Sequence, residues 1–292
     1  VRQVSLDIKQ GETFALVGES GSGKSTLALA ITGLLTAAEG QIKFMDEDVT
    51  NMTPSQIMAY RKKISFIWQN SIGSLSPRMS VGSLITEGYK IHNLKDRDLK
   101  MEADRLLKLV GLPTNIKERY AHELSGGQAR RVGVARAIAL NPKLIIADEP
   151  TAGLDVSVQG EILNLLNKLR DDLGVSLFVI THNLNIVRHI SDRTAVMYLG
   201  RFVEQGQTDD IFAKPRHPYT LALLSANLTP YQETSLKNKI ELTGEVPSLM
   251  DRPNGCEFHT RCPFSSKHCD DEFPPVHTFN GQQILTCHYP LK

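Results

Sequence analysis

No apolar run in this sequence approaches the roughly 18 to 20 residues needed to cross a bilayer. The longest, Leu144-Ile-Ile-Ala147 and Val175-Ser-Leu-Phe-Val-Ile180, are strand-sized, so any membrane role is expected to come through a partner. Excess charge is also missing. The 33 Lys and Arg residues stand against 32 Asp and Glu, a net charge of +1 that lacks the broad basic field of a nucleic-acid binder. There is no internal repeat, and all four cysteines lie beyond residue 255. What remains is a 292-residue chain, 41% hydrophobic and 22% charged, which describes a globular protein long enough for one sizeable domain plus an appendage or for two modest domains.

The richest stretch is Gly18-Glu-Ser-Gly-Ser-Gly-Lys24-Ser25, a full G-x-x-x-x-G-K-[ST] phosphate-binding loop. The apolar run Phe14-Ala-Leu-Val17 before it predicts a buried strand, and Thr26-Leu-Ala-Leu-Ala-Ile-Thr32 after it predicts a helix. In that context the loop folds its N–H groups around an anion, aided by the helix N-terminus. The candidate phosphate-binding residues are Gly18, Glu19, Ser20, Gly21, Ser22, Gly23, Lys24, Ser25 and Thr26. The three glycines allow close backbone approach, Lys24 supplies a point charge for β- and γ-phosphates, and Ser25 offers a hydroxyl to Mg²⁺.

A second constellation is Leu144-Ile-Ile-Ala-Asp148-Glu149-Pro150, which puts two carboxylates just past a buried strand, where open α/β sheets bind ligands. Asp148 is placed to hold Mg²⁺ and Glu149 to orient and deprotonate an attacking water. Between the two lies Leu124-Ser125-Gly126-Gly127-Gln128, followed by a predicted helix over residues 129–140. Ser125 stands at a natural N-cap, and the glycines bare backbone N–H groups. Elsewhere the pattern predicts strands at Val4 to Ile8, Gln41 to Met45 and Ile64 to Trp68. It also predicts a helical insertion from Ser71 to about Lys117, and strand–helix alternation to about Tyr198 in a mostly parallel sheet.

The order LSGGQ, helix, D-E-P resembles the ATP-binding-cassette (ABC) ATPases. The resemblance implies an α/β P-loop nucleotide-binding domain over residues 1–206, with a helical subdomain at about 71–135. It implies ATP and Mg²⁺ as ligands, with Gln69 as the Q-loop glutamine near Mg²⁺ and Asp155 in the D-loop at a dimer interface. His182 is then the switch histidine, and Lys24, Gln69, Glu149 and His182 are the catalytic set. An adenine-stacking aromatic is expected upstream of Val1. Two cassettes, identical or merely homologous, are expected to close head to tail, so that Ser125 to Gln128 of one clamp the ATP held by the other.

The tail is read as a small extension over residues 207–292, its boundary falling between 206 and 235. Its cysteines, Cys256, Cys262, Cys269 and Cys287, are spaced C-x5-C-x6-C-x17-C, all within 32 residues, which favours a shared ligand. Zinc, an iron–sulfur cluster and unliganded or disulfide-bonded thiols are the alternatives. The short C-x-x-C knuckle and the common ferredoxin spacings are both absent. His259, His268 and His288 lie nearby. Lys214-Pro-Arg-His-Pro-Tyr-Thr220 and Gly255-Cys-Glu-Phe-His-Thr-Arg-Cys-Pro263 resemble the C-terminal extension of ATPases from oligopeptide, dipeptide and nickel importers. That resemblance implies a [4Fe-4S] cluster on the four cysteines, with zinc as the alternative. It further implies peptide import, with two transmembrane permease subunits, an extracytoplasmic solute-binding protein, no nucleic acid, and a place on the cytoplasmic face of the membrane. A nickel importer is the nearest alternative. A soluble ABC protein in iron–sulfur assembly or in ribosome or nucleic-acid work is a more distant one.

Overall fold

The structure, a computed structural model, describes residues 1–226, 242 and 244–292. In chain order the elements begin β1 (Thr13–Val17), α1 (Lys24–Ile31), β2 (Lys43–Phe44), β3 (Glu47–Asp48), α2 (Pro54–Lys63), β4 (Ile64–Ile67), α3 (Val81–Ile91) and α4 (Leu99–Leu109). There follow α5 (Gly126–Ile138), β5 (Leu144–Asp148), α6 (Val156–Leu173), β6 (Ser176–Thr181), α7 (Leu184–Ile190), β7 (Arg193–Tyr198) and β8 (Arg201–Gln207). The C-terminal region adds α8 (Thr208–Ala213), α9 (Pro218–Ala226), α10 (Lys267–Asp271), β9 (Val276–Phe279) and β10 (Gln283–Thr286). Two compact units result, one of Val1–Ile8, Glu12–Leu27 and Ile180–Lys292, the other of Lys9–Gly11 and Ala28–Val179.

In the second unit, β4 and β5 pair in parallel, with Ile64 opposite Leu144 and Ile67 opposite Ala147. Every residue of β5 is buried, as a central parallel strand requires. The helical insertion forms as the apolar spacing predicts. Leu84, Ile85, Leu106, Leu107 and Val110 are all buried, while Ser80 and Asp98 cap α3 and α4 by accepting backbone N–H groups. Tyr89 donates its hydroxyl to Ala139 O at 2.5 Å, fastening α3 to the end of α5. Small residues and valines let α5 bury nearly its whole circumference.

The first unit is built on β1, whose five residues are all buried and which runs parallel to β7 with Val17 opposite Val196. From there the ladder turns antiparallel: β7 pairs with β8, β8 with β10, and β10 with β9. The tail, read from the sequence as a small extension, supplies two strands and shares one core with β1, in which Val17, Val196, Tyr198, Tyr219 and Phe258 pack together. The strand expected at Val4 to Ile8 does not form. Asp7 instead receives the Arg193 guanidinium at 3.1 Å. Residues 227–235 of the expected boundary lie outside the described residues.

Two buried polar groups tie the tail to β8. Glu204, 1% exposed, accepts the N–H groups of Arg216 at 2.9 Å and His217 at 3.0 Å and the Gln283 amide at 2.6 Å. Burial raises its pKa. His217, also 1% exposed, accepts the Tyr219 N–H on Nδ1 at 3.0 Å, and burial pushes its pKa down to about 3 from the ordinary 6.5. A neutral folded-state imidazole contributes stability that is complete above pH 6.5 and is lost as the pH falls from 6.5 towards 3. At pH 5 the loss amounts to about 2 kcal/mol. The raised pKa of Glu204 acts in the opposite direction, its contribution fading as the pH rises. His217→Asn keeps an acceptor for Tyr219 N–H and leaves Glu204 in place. It is therefore expected to flatten the stability loss between pH 6.5 and 5, read from urea midpoints against the wild type.

Candidate functional site

In the first unit, β1 runs out into the predicted phosphate loop, and β7 dictates why that exit is glycine. A Cβ on Gly18 (φ +156°) would lie 2.2 Å from Met197 O and 2.9 Å from Ser22 Oγ, so no larger residue fits. Lys24 opens α1 and is buried in the loop it ends. Its ammonium donates to Gly18 O and Glu19 O, both at 2.8 Å, and to Ser22 Oγ at 3.4 Å. Ser22 O in turn accepts the Gly200 N–H at 2.7 Å, which moors the loop to the β7–β8 turn. Ser25 and Thr26 are exposed. A buried ammonium that donates to loop carbonyls, beside a Gly18 that leaves no room for a Cβ, fits a cradle for phosphate. His182 follows β6 directly and is exposed, just ahead of α7, which Asn183 caps.

The second unit holds the remaining predicted residues. Because β4 and β5 are parallel and in register, Gln69 and the Asp148–Glu149 pair leave the sheet at the same edge. Both acids are 9% exposed, and Glu149 is held at φ +48°, the left-handed region that a residue with a long side chain occupies at a cost. Ser125 and Gln128 form a reciprocal capping box: Ser125 Oγ accepts the Gln128 N–H at 3.3 Å, and Gln128 Oε1 accepts the Ser125 N–H at 3.1 Å. Ser125 and Gly126 are exposed although the helix behind them is buried, so this N-terminus faces outward. Asp155 precedes α6, exposed and without a side-chain cap bond.

Sequence reasoning missed Arg130. It is 4% exposed and donates to Trp68 O at 3.2 Å, Gln69 O at 2.8 Å and Ala152 O at 2.8 Å. One side chain thus joins the α5 helix to the Gln69 segment and to the turn after Glu149. Burial draws its pKa below the ordinary arginine value. An arginine within a helix of alanine and valine was the only available signal.

The four cysteines are free thiols and line one cavity, together with Phe258 and His259. Burial pushes the thiol of Cys256 up to about 11, that of Cys287 up to about 12, and that of Cys262 upward as well. They gather as the spacing suggested. As they stand, however, no group of three or more His, Cys, Asp or Glu side chains among the described residues forms a metal-holding set.

Comparison with known proteins agrees with this geometry. Residues 1–152 match the family described as ABC transporter, and residues 203–269 match the oligopeptide/dipeptide transporter C-terminal region. The chain is 42% identical to the oligopeptide transport ATP-binding protein OppF of Haemophilus influenzae, over 98% of its own length and 87% of that protein. It is 44% identical to OppF of Salmonella typhimurium over 93% of its length and 82% of that protein. Among solved structures it is similar to cbiO1 from Clostridium perfringens, part of the ABC transporter complex cbiONQ, with a TM-score of 0.64 and 32% identity over 72% of this chain and 82% of that one. It is also similar to the ATP-binding cassette MJ0796 in a dimeric post-hydrolysis state bound to ADP and Pi. The TM-score is again 0.64, with 29% identity over 70% of this chain and 88% of that one.

Removing Arg130 leaves three carbonyls without a donor. Arg130→Met is expected to destabilise the protein by about 1–3 kcal/mol, and Arg130→Lys, with a shorter reach and no fork, to recover only part of that. Urea unfolding midpoints of the two variants against the wild type measure both effects.

Proposed function

The chain belongs to the ABC transporter family, and from that premise we propose that it is the ATP-hydrolysing subunit that powers peptide import through a membrane permease. The observation that carries the substrate is the match to OppF along 98% of the chain, including the C-terminal region that the general cassette lacks. We take residues 1–206 as the cassette, about 71–135 as its helical subdomain, and 207–292 as the extension.

Lys24 and the loop N–H groups would bind the β- and γ-phosphates, and Ser25, Gln69 and Asp148 would hold Mg²⁺, whose charge offsets that of the phosphates. Glu149 takes the proton of the attacking water. His182 and Gln69 position the reacting end, and Asp155 lies where two cassettes meet. The outward-facing Ser125 and Gly126, with Gly127 and Gln128, would reach the ATP held by a second cassette. Catalysis is then chiefly electrostatic positioning. No helix among the described residues is long and apolar enough to cross a membrane. The membrane work falls to two permease subunits, supplied by an extracytoplasmic binding protein, with this subunit on the cytoplasmic face. Glu149→Gln is expected to keep ATP binding and to lower turnover about 10²-fold or more. ATP hydrolysis by the complete transporter in proteoliposomes measures it, with the binding protein loaded by a peptide mixture, by a nickel chelate or by nothing. Stimulation by nickel alone would overturn the peptide assignment.

We further propose that Cys256, Cys262, Cys269 and Cys287 ligate a [4Fe-4S] cluster, with zinc as the alternative. The support is their shared cavity and the chemistry of four thiols. A bound cluster would cross-link the chain segments that carry them. Burial favours the protonated thiols of Cys256, Cys262 and Cys287, so loading is expected to release protons as thiolates bind the metal. Anaerobic reconstitution with iron and sulfide, followed by iron, sulfide, zinc and proton-release analysis, tests this. A colourless, iron-free product removes the cluster.

A further inference from the structure

Glu19, the second residue of the phosphate loop, is gripped from two sides by the C-terminal region. Its N–H donates to Tyr219 Oη at 2.9 Å. Its carboxylate accepts Nη1 of Arg261 at 2.7 Å and Nη2 at 3.1 Å, a paired contact between residues 242 positions apart in the chain. The Arg261 side chain is 4% exposed and that of Glu19 26%, so water screens the pair only from the acid's side.

The arginine is fixed before it meets the acid. Its guanidinium lies 5.9 Å from the centre of the Tyr198 ring. Tyr198, Tyr219 and Phe258 pack against one another with ring centres 4.8 to 5.3 Å apart. Arg261 ends the short 3₁₀ turn His259–Arg261 and directly precedes Cys262. The same segment is pinned where the Cys256 N–H donates to Cys269 O at 2.8 Å. Gly255, at φ +60°, passes so close that a Cβ there would sit 2.3 Å from Cys269 O. The lobe bearing the cysteines is thus a rigid mount for one cation aimed at the loop.

Charge gives that cation a purpose. A loop that takes a polyphosphate gains from Lys24 and from its N–H groups, and loses from a carboxylate on the same turn. With Arg261 in place the carboxylate is neutralised and its direction fixed.

We propose that Arg261 is a positioning residue for the phosphate loop: by pairing with Glu19, and with Tyr219 holding the Glu19 N–H, it lets the cysteine-bearing lobe set the loop's affinity for a nucleotide polyphosphate. This rests on the reading of Gly18 to Thr26 as the ATP site.

The test is equilibrium titration of the full chain with MgATP, alongside the thermal unfolding midpoint of each variant. Arg261→Met is expected to weaken MgATP binding about tenfold and Arg261→Lys about threefold. Adding Glu19→Gln to either variant removes the stranded carboxylate. It is expected to return affinity to within about threefold of wild type, although the ion pair is then absent altogether. A purely structural role gives the reverse, with double variants no better than the single ones and affinity following the unfolding midpoint. Unchanged affinity in Arg261→Met, or no recovery in the double variants, overturns the proposal. If Arg261→Met does not fold, Arg261→Lys with and without Glu19→Gln decides the matter alone. Lys24→Ala separates the two failures. Wild-type affinity in that variant would sink the ATP-site reading itself, whereas lost binding there beside unchanged binding in Arg261→Met would sink only the role of Arg261.

Discussion

The buried ammonium of Lys24 is the constraint on which the Gly18–Thr26 loop depends. Taking Lys24 out of water is costly unless its donors are met, and Gly18 O and Glu19 O meet them at 2.8 Å. Those carbonyls turn inward because Gly18 follows a backbone path that Met197 O closes to any side chain. The exit of β1 and the start of α1 are thereby joined through one cation. The same arrangement makes the loop ready for its ligand. A phosphate oxygen would carry a full charge where the loop carbonyls carry only a partial one, and so would add charge on the acceptor side to bonds whose ammonium donor is already charged.

Arg130 repeats this solution in the other unit. It too is buried among main-chain carbonyls, those of Trp68, Gln69 and Ala152. Carbonyl partners differ from a carboxylate in one respect: they belong to backbone, so the cation fixes the course of chain segments, where a paired acid would fix only a side chain. The segment bearing Gln69 and the turn after Glu149 are held to α5 in this way, behind the exposed Ser125 and Gly126. Glu149, at φ +48°, sits in the stretch so fixed, and a strained residue persists only where its surroundings overdetermine it.

The legible parts of the sequence were those whose chemistry is contiguous. The Ser125 cap and the apolar stripes of α3 and α4 each lie within a dozen or so residues and formed where the pattern predicted, and the Gly18–Ser25 loop and the Asp148–Glu149 pair are as contiguous. Arg130, Arg261 and Tyr219 were illegible because their partners lie 22 to 242 positions away and no periodicity marks them. The strands of the tail were illegible for a related reason. Its strands β9 and β10 have four residues each, and its core contribution comes from single aromatics, Tyr219 and Phe258, set among Pro and His. Val4 to Ile8 failed in the opposite direction, since alternating residues satisfy a strand pattern where no strand forms.

The cysteine lobe shows how such a tail holds together. Phe258, Tyr219 and Tyr198 fill its core, and Cys256 and Cys262 pack against that core as ordinary small apolar side chains. Burial keeps the thiols protonated, the form that suits an apolar lining. Glu204 and His217 supply the polar anchorage to β8 independently of any sulfur. A ligand shared by those thiols would tighten the lobe by cross-linking the segments that carry them. Because Arg261 is the residue before Cys262, the place where such tightening reaches the rest of the unit is Glu19 and the phosphate loop.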